Sequence, residues 1–281
     1  MPTLVQRSIR MRIEGRSKPG RPPGWLERAS DIRVLRVSGQ NDAHIVFACP
    51  RLGEAAQEVY QQGQLWSNRP DPDATGLDLV GDVIVGLRHR DSDSDLFDSS
   101  LLVGIRALAG AIENGFSAID IPSAIERGPA TVDQAVIDIA RAFARSTPRP
   151  QTVRVAGTLD MVRDSTSAFA IRLDDGAEVA GVLLAGNVRE IALLLGTRVV
   201  VEGTAVFRPS GNLLRIDARK VVSAPSAPGI WSQLPRPRST RFAQAELMRR
   251  QGPRSGLAGI LGKWPGEETD AEIAAILEEI S

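Results

Sequence analysis

Cysteine is all but missing from this chain. Cys49 is the single one among 281 residues, so no internal disulfide can form, and with only His44 and His89 beside it a zinc site of His and Cys ligands lacks members. The first residues carry no apolar secretory core, which makes the cytoplasm the expected compartment. Long hydrophobic runs are missing too: 199–201 and 273–277 fall far short of the roughly 20 residues that span a bilayer, so no membrane helix is expected. There is no Gly-x-x-x-x-Gly-Lys, no Gly-x-Ser-x-Gly and no His-Glu-x-x-His, the patterns that build phosphate loops, nucleophile elbows and zinc-protease helices. The sequence therefore points away from an enzyme, a metal and a cofactor.

Net charge is missing as well, since 34 basic and 34 acidic side chains cancel. The cancellation hides blocks. Residues 1–30 hold seven basic and two acidic groups, residues 223–265 hold seven basic groups against Glu246 alone, and residues 266–281 hold six acidic groups and no basic one. A basic stretch running into an acidic end has the form of an interaction tail. Hydrophobic residues at 42% and charged residues at 24% are near globular averages and exclude wholesale disorder, collagen and coiled-coil arrays. At about 150 residues per domain, the length suggests roughly two folded units.

The expected organisation is a basic arm over 1–30, an α+β domain over 31–149, an OB-like barrel over 150–222, and a linker with a helical partner-binding tail over 223–281. Pro19, Gly20, Pro22, Pro23 and Gly24 cannot sustain a helix through the middle of the first segment, which reads as an arm or an edge strand. Runs 32–37 and 44–48 read as a hairpin, and 52–62 as a helix. Leu77, Val80, Val83, Ile84 and Leu87 repeat at helical spacing after Thr75. Leu101, Leu102, Ile105, Leu108 and Ile112 do the same within a helix expected over 95–114. A strand over 116–121 and a helix opened by Thr131 over 132–143 complete a mixed domain.

The clearest unit follows. Strands are expected over 152–162, 168–173 and 178–184, a short helix over 188–195 closed by Gly196, and strands over 198–207 and 213–222. Three strands, a helix, then a hairpin is the order of an OB-fold, a five-stranded partly open barrel. Gly157 and Gly203 fall inside long strands, where such a barrel bends or bulges.

Two constellations bear on chemistry. Asp91, Asp93, Asp95 and Asp98 invite comparison with a calcium loop, but Leu96 stands where that loop needs glycine and Leu102 where it needs a bidentate glutamate. The cluster reads instead as a solvated loop, with Asp95 at a helix N-terminus. An OB-like barrel suggests single-stranded nucleic acid, through a basic groove with exposed aromatics. Strand alternation, however, places the two barrel aromatics, Phe169 and Phe207, in the core. Arg154, Arg172, Arg208 and Arg215, with Arg7, Arg10 and Arg12 of the arm, form the candidate nucleic-acid set.

The tail carries the most ordered signal. Thr269-Asp270-Ala271-Glu272 is a capping box, and Ile273, Ile276, Leu277 and Ile280 then fall at i, i+3, i+4 and i+7. Leu257, Ile260, Leu261 and Trp264 repeat that spacing just before it. Helices of about three turns are too short to stand alone in water and need a surface to cover their stripe, either this chain's own body or a partner's groove. The stretch Gly262-Lys263-Trp264-Pro265-Gly266-Glu267-Glu268-Thr269-Asp270-Ala271-Glu272-Ile273 resembles the C-terminal toxin-binding tail of some bacterial type II antitoxins, proteins that neutralise ribonuclease toxins including PIN-domain enzymes. The resemblance covers about twenty residues. It implies that Trp264 and the apolar stripe grip a toxin, while Lys263 or Arg249, Arg250 and Arg254 reach its acidic metal site. The sequence departs from that family in length and shows no small dimeric DNA-binding domain. The leading expectation is thus a non-enzymatic protein-binding protein of the antitoxin kind in a toxin–antitoxin system. The alternative is a single-stranded nucleic-acid-binding protein using barrel and arm.

Overall fold

Leu4, Val5, Ile9 and Ile13 recur at near-helical spacing, and the computed structural model places them, all buried, on one side of helix α1 (Pro2–Glu14). That structure describes residues 2–17, 22–39, 42–60, 69–125, 128–224, 226 and 229–237. The arm or edge strand expected over the first thirty residues is therefore corrected to two helices, α1 and α2 (Gly24–Ala29). The prolines that forbid a helix begin at Pro19, after α1 has closed on Gly15, whose φ of 70° and amide bond to the Met11 carbonyl terminate it.

Strands β1 (Arg33–Ser38) and β2 (His44–Ala48) form the expected hairpin, an antiparallel ribbon that leaves Val34, Leu35, Val37 and Ile45 exposed. The helix expected over 52–62 is split at Ala56 into α3 (Leu52–Ala55) and α4 (Gln57–Tyr60), with residues 61 and 62 outside the described set. Helix α5 (Gly76–Arg88) begins at a capping box, the Thr75 hydroxyl accepting from the Asp78 amide while the Asp78 carboxylate accepts from the Thr75 amide. It packs against α1 so closely that a Cβ on Gly76 would lie 2.4 Å from Val5. The single helix expected over 95–114 is two, α6 (Ser99–Arg106) and α7 (Ala109–Glu113). Strands β3 (Ala118–Ile121) and β4 (Ala130–Asp133) pair antiparallel, and α8 (Gln134–Ser146) starts on the Asp133 cap rather than at Thr131.

After α8 the chain forms an OB-like barrel, followed by a short 3-10 turn at Gly229–Trp231. Its elements are β5 (Gln151–Arg163), β6 (Ala168–Arg172), β7 (Glu178–Leu183), α9 (Val188–Ala192), β8 (Arg198–Phe207) and β9 (Leu213–Ser223). The strands close in the order β5-β6-β7-β9-β8, with β7 and β9 parallel and every other pair antiparallel. Closure leaves no free edge. Gly203 sits at a register shift between β8 and β9, and a Cβ on Gly157 would lie 2.7 Å from the Arg172 carbonyl oxygen, so both glycines stand where backbones approach. Phe169 and Phe207 are buried, as strand alternation requires.

The described residues lie within one compact unit, Met1–Arg238, with two cores. One fills the barrel around Phe169, Ile171, Val199 and Ile216. The other fills the helical lobe and takes Val206 and Leu214 from the barrel, so β8 and β9 also form a wall of the lobe. Among the described residues no helix is long and apolar enough to cross a membrane.

Candidate functional site

The aspartate cluster turns out to join lobe to barrel. Ser210 Oγ and Asn212 Nδ2, on the turn between β8 and β9, donate to Asp93 Oδ1 at 2.5 and 2.8 Å, and the Ser210 amide donates to the Ser92 carbonyl at 3.1 Å. Arg208 Nε donates to Asp95 Oδ1 at 3.1 Å. Asp91, Asp93 and Asp95 are exposed, as expected of a solvated loop, but the cap is corrected: Asp98, not Asp95, accepts from the Ser100 and Leu101 amides at the start of α6. Asp98 is buried and also accepts from the Ser17 amide and hydroxyl and, at 3.0 Å, from Arg215 Nη2. Arg215, equally buried, donates in addition to Asp217 Oδ1 at 2.8 Å. Burial works to raise the Asp98 carboxyl, but the charge of Arg215 and the Ser17 and Leu101 bonds outweigh it and hold the group below the usual carboxylate range.

Beside this junction lies a cleft of about 390 Å³. The C-terminal end of α1, from Met11 to Gly15, forms one wall; the end of β5, the following turn, β6 and β7 form the other. Its cationic groups come from separate segments: Arg12 from α1, Arg69 from the loop before α5, Arg163 from the end of β5, and Arg208 and Arg215 from the β8–β9 hairpin. Glu14 and Asp95 are its carboxylates, and both are already committed. Glu14 accepts from Arg10 Nε at 2.8 Å and Arg16 Nε at 3.2 Å, and Asp95 serves Arg208.

With Arg215 held by Asp98 and Asp217, three guanidinium groups are left over. Arg12 Nε is buried without a hydrogen-bond partner; Arg69 lies over the Tyr60 ring at 5.9 Å and Arg163 beside it, neither with a carboxylate among the described residues. Burial, and then the charge of Arg69, push the Arg163 guanidinium down from its ordinary value. Ser165 Oγ and Thr166 Oγ1, in the turn between β5 and β6, are buried and likewise unpartnered. Met161, Phe169 and Leu214 supply apolar wall. Such a site can hold an anion, with hydroxyls free to bond it.

The seven candidate nucleic-acid arginines do not form one surface. Arg12, Arg208 and Arg215 share the cleft, whereas Arg10 is buried against Glu14 and Arg7 donates to the Ser100 carbonyl at 3.1 Å. Arg154 pairs with Glu202 at 2.6 Å and lies over the Trp231 ring, and Arg172 pairs with Asp160 at 2.9 Å on the barrel's exterior. The groups the sequence did not single out are Arg69 and Arg163, each isolated in its own stretch and meaningful only through convergence. Cys49 is half-buried and burial raises its thiol. Among the described residues no three His, Cys, Asp or Glu side chains are grouped to hold a metal. The tail candidates Arg249, Arg250, Arg254, Leu257, Ile260, Leu261, Lys263, Trp264, Ile273, Ile276, Leu277 and Ile280 lie outside the described residues. No protein-family model, curated protein sequence or solved structure matches the chain.

Proposed function

We propose that this chain is a non-enzymatic binding protein whose body takes a phosphate-bearing ligand of the single-stranded nucleic-acid class in the cleft. The observation that carries the reading is the convergence of Arg12, Arg69 and Arg163 without a balancing carboxylate. Like charges held together in a half-enclosed, partly desolvated space repel, and an anion is the group that relieves them. The planar guanidinium fork matches phosphate oxygens two at a time. Barrels of this strand order bind oligonucleotides on their second and third strands and on the loops after the first and fourth, which here are β6, β7 and the turns carrying Thr166 and Arg208, all bordering the cleft.

Fluorescence anisotropy of labelled single-stranded RNA and DNA at rising salt tests this. Affinity should fall as salt rises, and the salt slope should shrink by about two in Arg69→Ala/Arg163→Ala. Absence of binding even at low ionic strength overturns the reading.

A second reading concerns the tail and is compatible with the first. The capping box at Thr269 and the apolar spacing through Ile280 support a protein partner, and the resemblance at 262–273 supports a nuclease toxin of the PIN type. Trp264 would be the aromatic anchor and the arginines before it would compete with the toxin's metal for its carboxylates. Co-expression with such a toxin should give co-purification that is lost on deleting 255–281; a truncated chain that still retained the toxin would sink the idea.

A further inference from the structure

We propose that the cleft binds a nucleoside phosphomonoester, its phosphate on Arg69 and Arg163 and its base against Trp25 in an adjoining cavity. This rests on the cleft reading above and narrows its ligand.

The adjoining cavity, of about 430 Å³, is bordered by Trp25, Pro22 and Pro23 and shares Glu14, Ser165 and Thr166 with the arginine cleft. The two spaces therefore border each other at the turn between β5 and β6, the first lined by Arg12, Arg69 and Arg163 and the second by Trp25 together with Arg10 and Arg16. Together they fall in the size range of small-ligand sites, with room for a nucleotide and not for a folded partner. Trp25 is half-buried and packs against the lobe core, which fixes the indole while leaving it at the cavity wall. A base stacking on a fixed indole loses no indole freedom on binding. Ser165 Oγ and Thr166 Oγ1, buried and unpartnered between the two spaces, stand where a sugar joins base to phosphate and supply donors and acceptors for its hydroxyls.

Two arguments favour a monoester at a terminus over a diester inside a strand. The first is charge. Three uncompensated guanidinium groups suit a dianion, and a bridging phosphodiester carries only one charge. The second is access. The end of α1, anchored by Leu4, Val5 and Ile9 in the lobe core, walls the cleft opposite β6 and β7 and narrows the path of a strand along them. A terminus can enter from the open side without moving it. A free nucleotide and a strand carrying a 5′-phosphate present the same group.

Titration calorimetry and tryptophan fluorescence with AMP, adenosine, inorganic phosphate, and a trinucleotide with and without its 5′-phosphate separate the possibilities. AMP and the phosphorylated trinucleotide should bind, adenosine and the unphosphorylated trinucleotide at least tenfold more weakly, and the tighter of the first two identifies the source. Arg163→Ala should weaken AMP at least tenfold. Trp25→Leu should weaken AMP about tenfold yet leave inorganic phosphate unchanged, whereas Trp25→Phe should keep affinity and lose the fluorescence change. If Trp25→Leu fails to fold, Trp25→Phe and Thr166→Val decide, the second weakening AMP. Equal affinity for phosphorylated and unphosphorylated trinucleotides, or an unchanged fluorescence signal on binding, overturns the monoester proposal while binding lost in Arg163→Ala leaves the cleft reading standing. No binding of any nucleotide or strand at low salt removes both.

Discussion

A single arginine and a group of three meet where the helical lobe joins the barrel, and they are handled in opposite ways. Arg215 is buried between Asp98 and Asp217, and Asp98 is itself tied to Ser17 and capped onto α6. Arg12, Arg69 and Arg163 line the neighbouring space with no carboxylate among the described residues to balance them. The first arrangement pairs its cation with two carboxylates and fixes how β9 sits on α6, although Arg215 Nη1 is itself buried without a hydrogen-bond partner. The second has no such ion pair among the described residues. The two carboxylates that line this space, Glu14 and Asp95, are paired with Arg10, Arg16 and Arg208 instead. The contrast locates structure at Arg215 and ligand at Arg163.

The largest expected effect comes from breaking the ion-paired group. Arg215→Met leaves Asp98 and Asp217 buried without their cation and should cost about 3–5 kcal/mol, read as a lowered urea midpoint. A loss under about 1 kcal/mol would mean that the group is no more structural than its neighbours. Next is the wall between them. Gly181 on β7 lines the cleft, and a Cβ there would lie 2.2 Å from the Phe169 ring, which is itself buried. Gly181→Ala should therefore cost about 1–3 kcal/mol by overpacking and narrow the cleft, weakening ligand as well as fold. Unfolding curves and anisotropy on the same sample check both halves.

Asp98 gives a pH signature to the ion-paired group alone. Its folded value lies below the unfolded value of about 3.9, so its contribution is full above about pH 5 and is lost as pH falls through the folded value. Asp98→Asn removes that dependence. Between pH 5 and pH 3 the wild type should lose on the order of 1 kcal/mol more stability than Asp98→Asn. Parallel acid limbs in the two proteins would show that Asp98 does not couple to folding.

The barrel was legible because its strands are β-branched runs cut by turn glycines at Gly176 and Gly211, both with positive φ, and closed by Gly196 after α9. Local chemistry alone specifies such boundaries. Helix α1 is masked for the opposite reason: the prolines after residue 18 colour the whole segment, although the spacing of Leu4, Val5, Ile9 and Ile13 carries the signal. Strand β4 is different. Thr131 and Val132 sit just before an Asp cap and look like a helix start, and only pairing with β3 makes them strand. The cleft belongs to this last kind. Arg69 and Arg163 are single residues in unrelated stretches, and no local pattern marks a site made by closing a barrel against a helix. The aspartate cluster was seen as a group, but its partners Ser210, Asn212 and Arg208 are equally non-local.

The smallest expected effect on stability is the sharpest test of the contrast. Arg69 and Arg163 repel each other and have no carboxylate partner among the described residues, so Arg69→Ala/Arg163→Ala removes an unfavourable term along with some packing of the aliphatic stems. The two should nearly cancel, leaving stability within about 0.5 kcal/mol of the wild type, or slightly above it at low salt where repulsion is unscreened. Urea unfolding at low and high ionic strength reads this directly. Binding should show the reverse, with affinity for phosphate-bearing ligands lost while the fold is untouched. A double variant destabilised by several kcal/mol would mean that these arginines are structural after all, and the distinction between the two groups would fall with it.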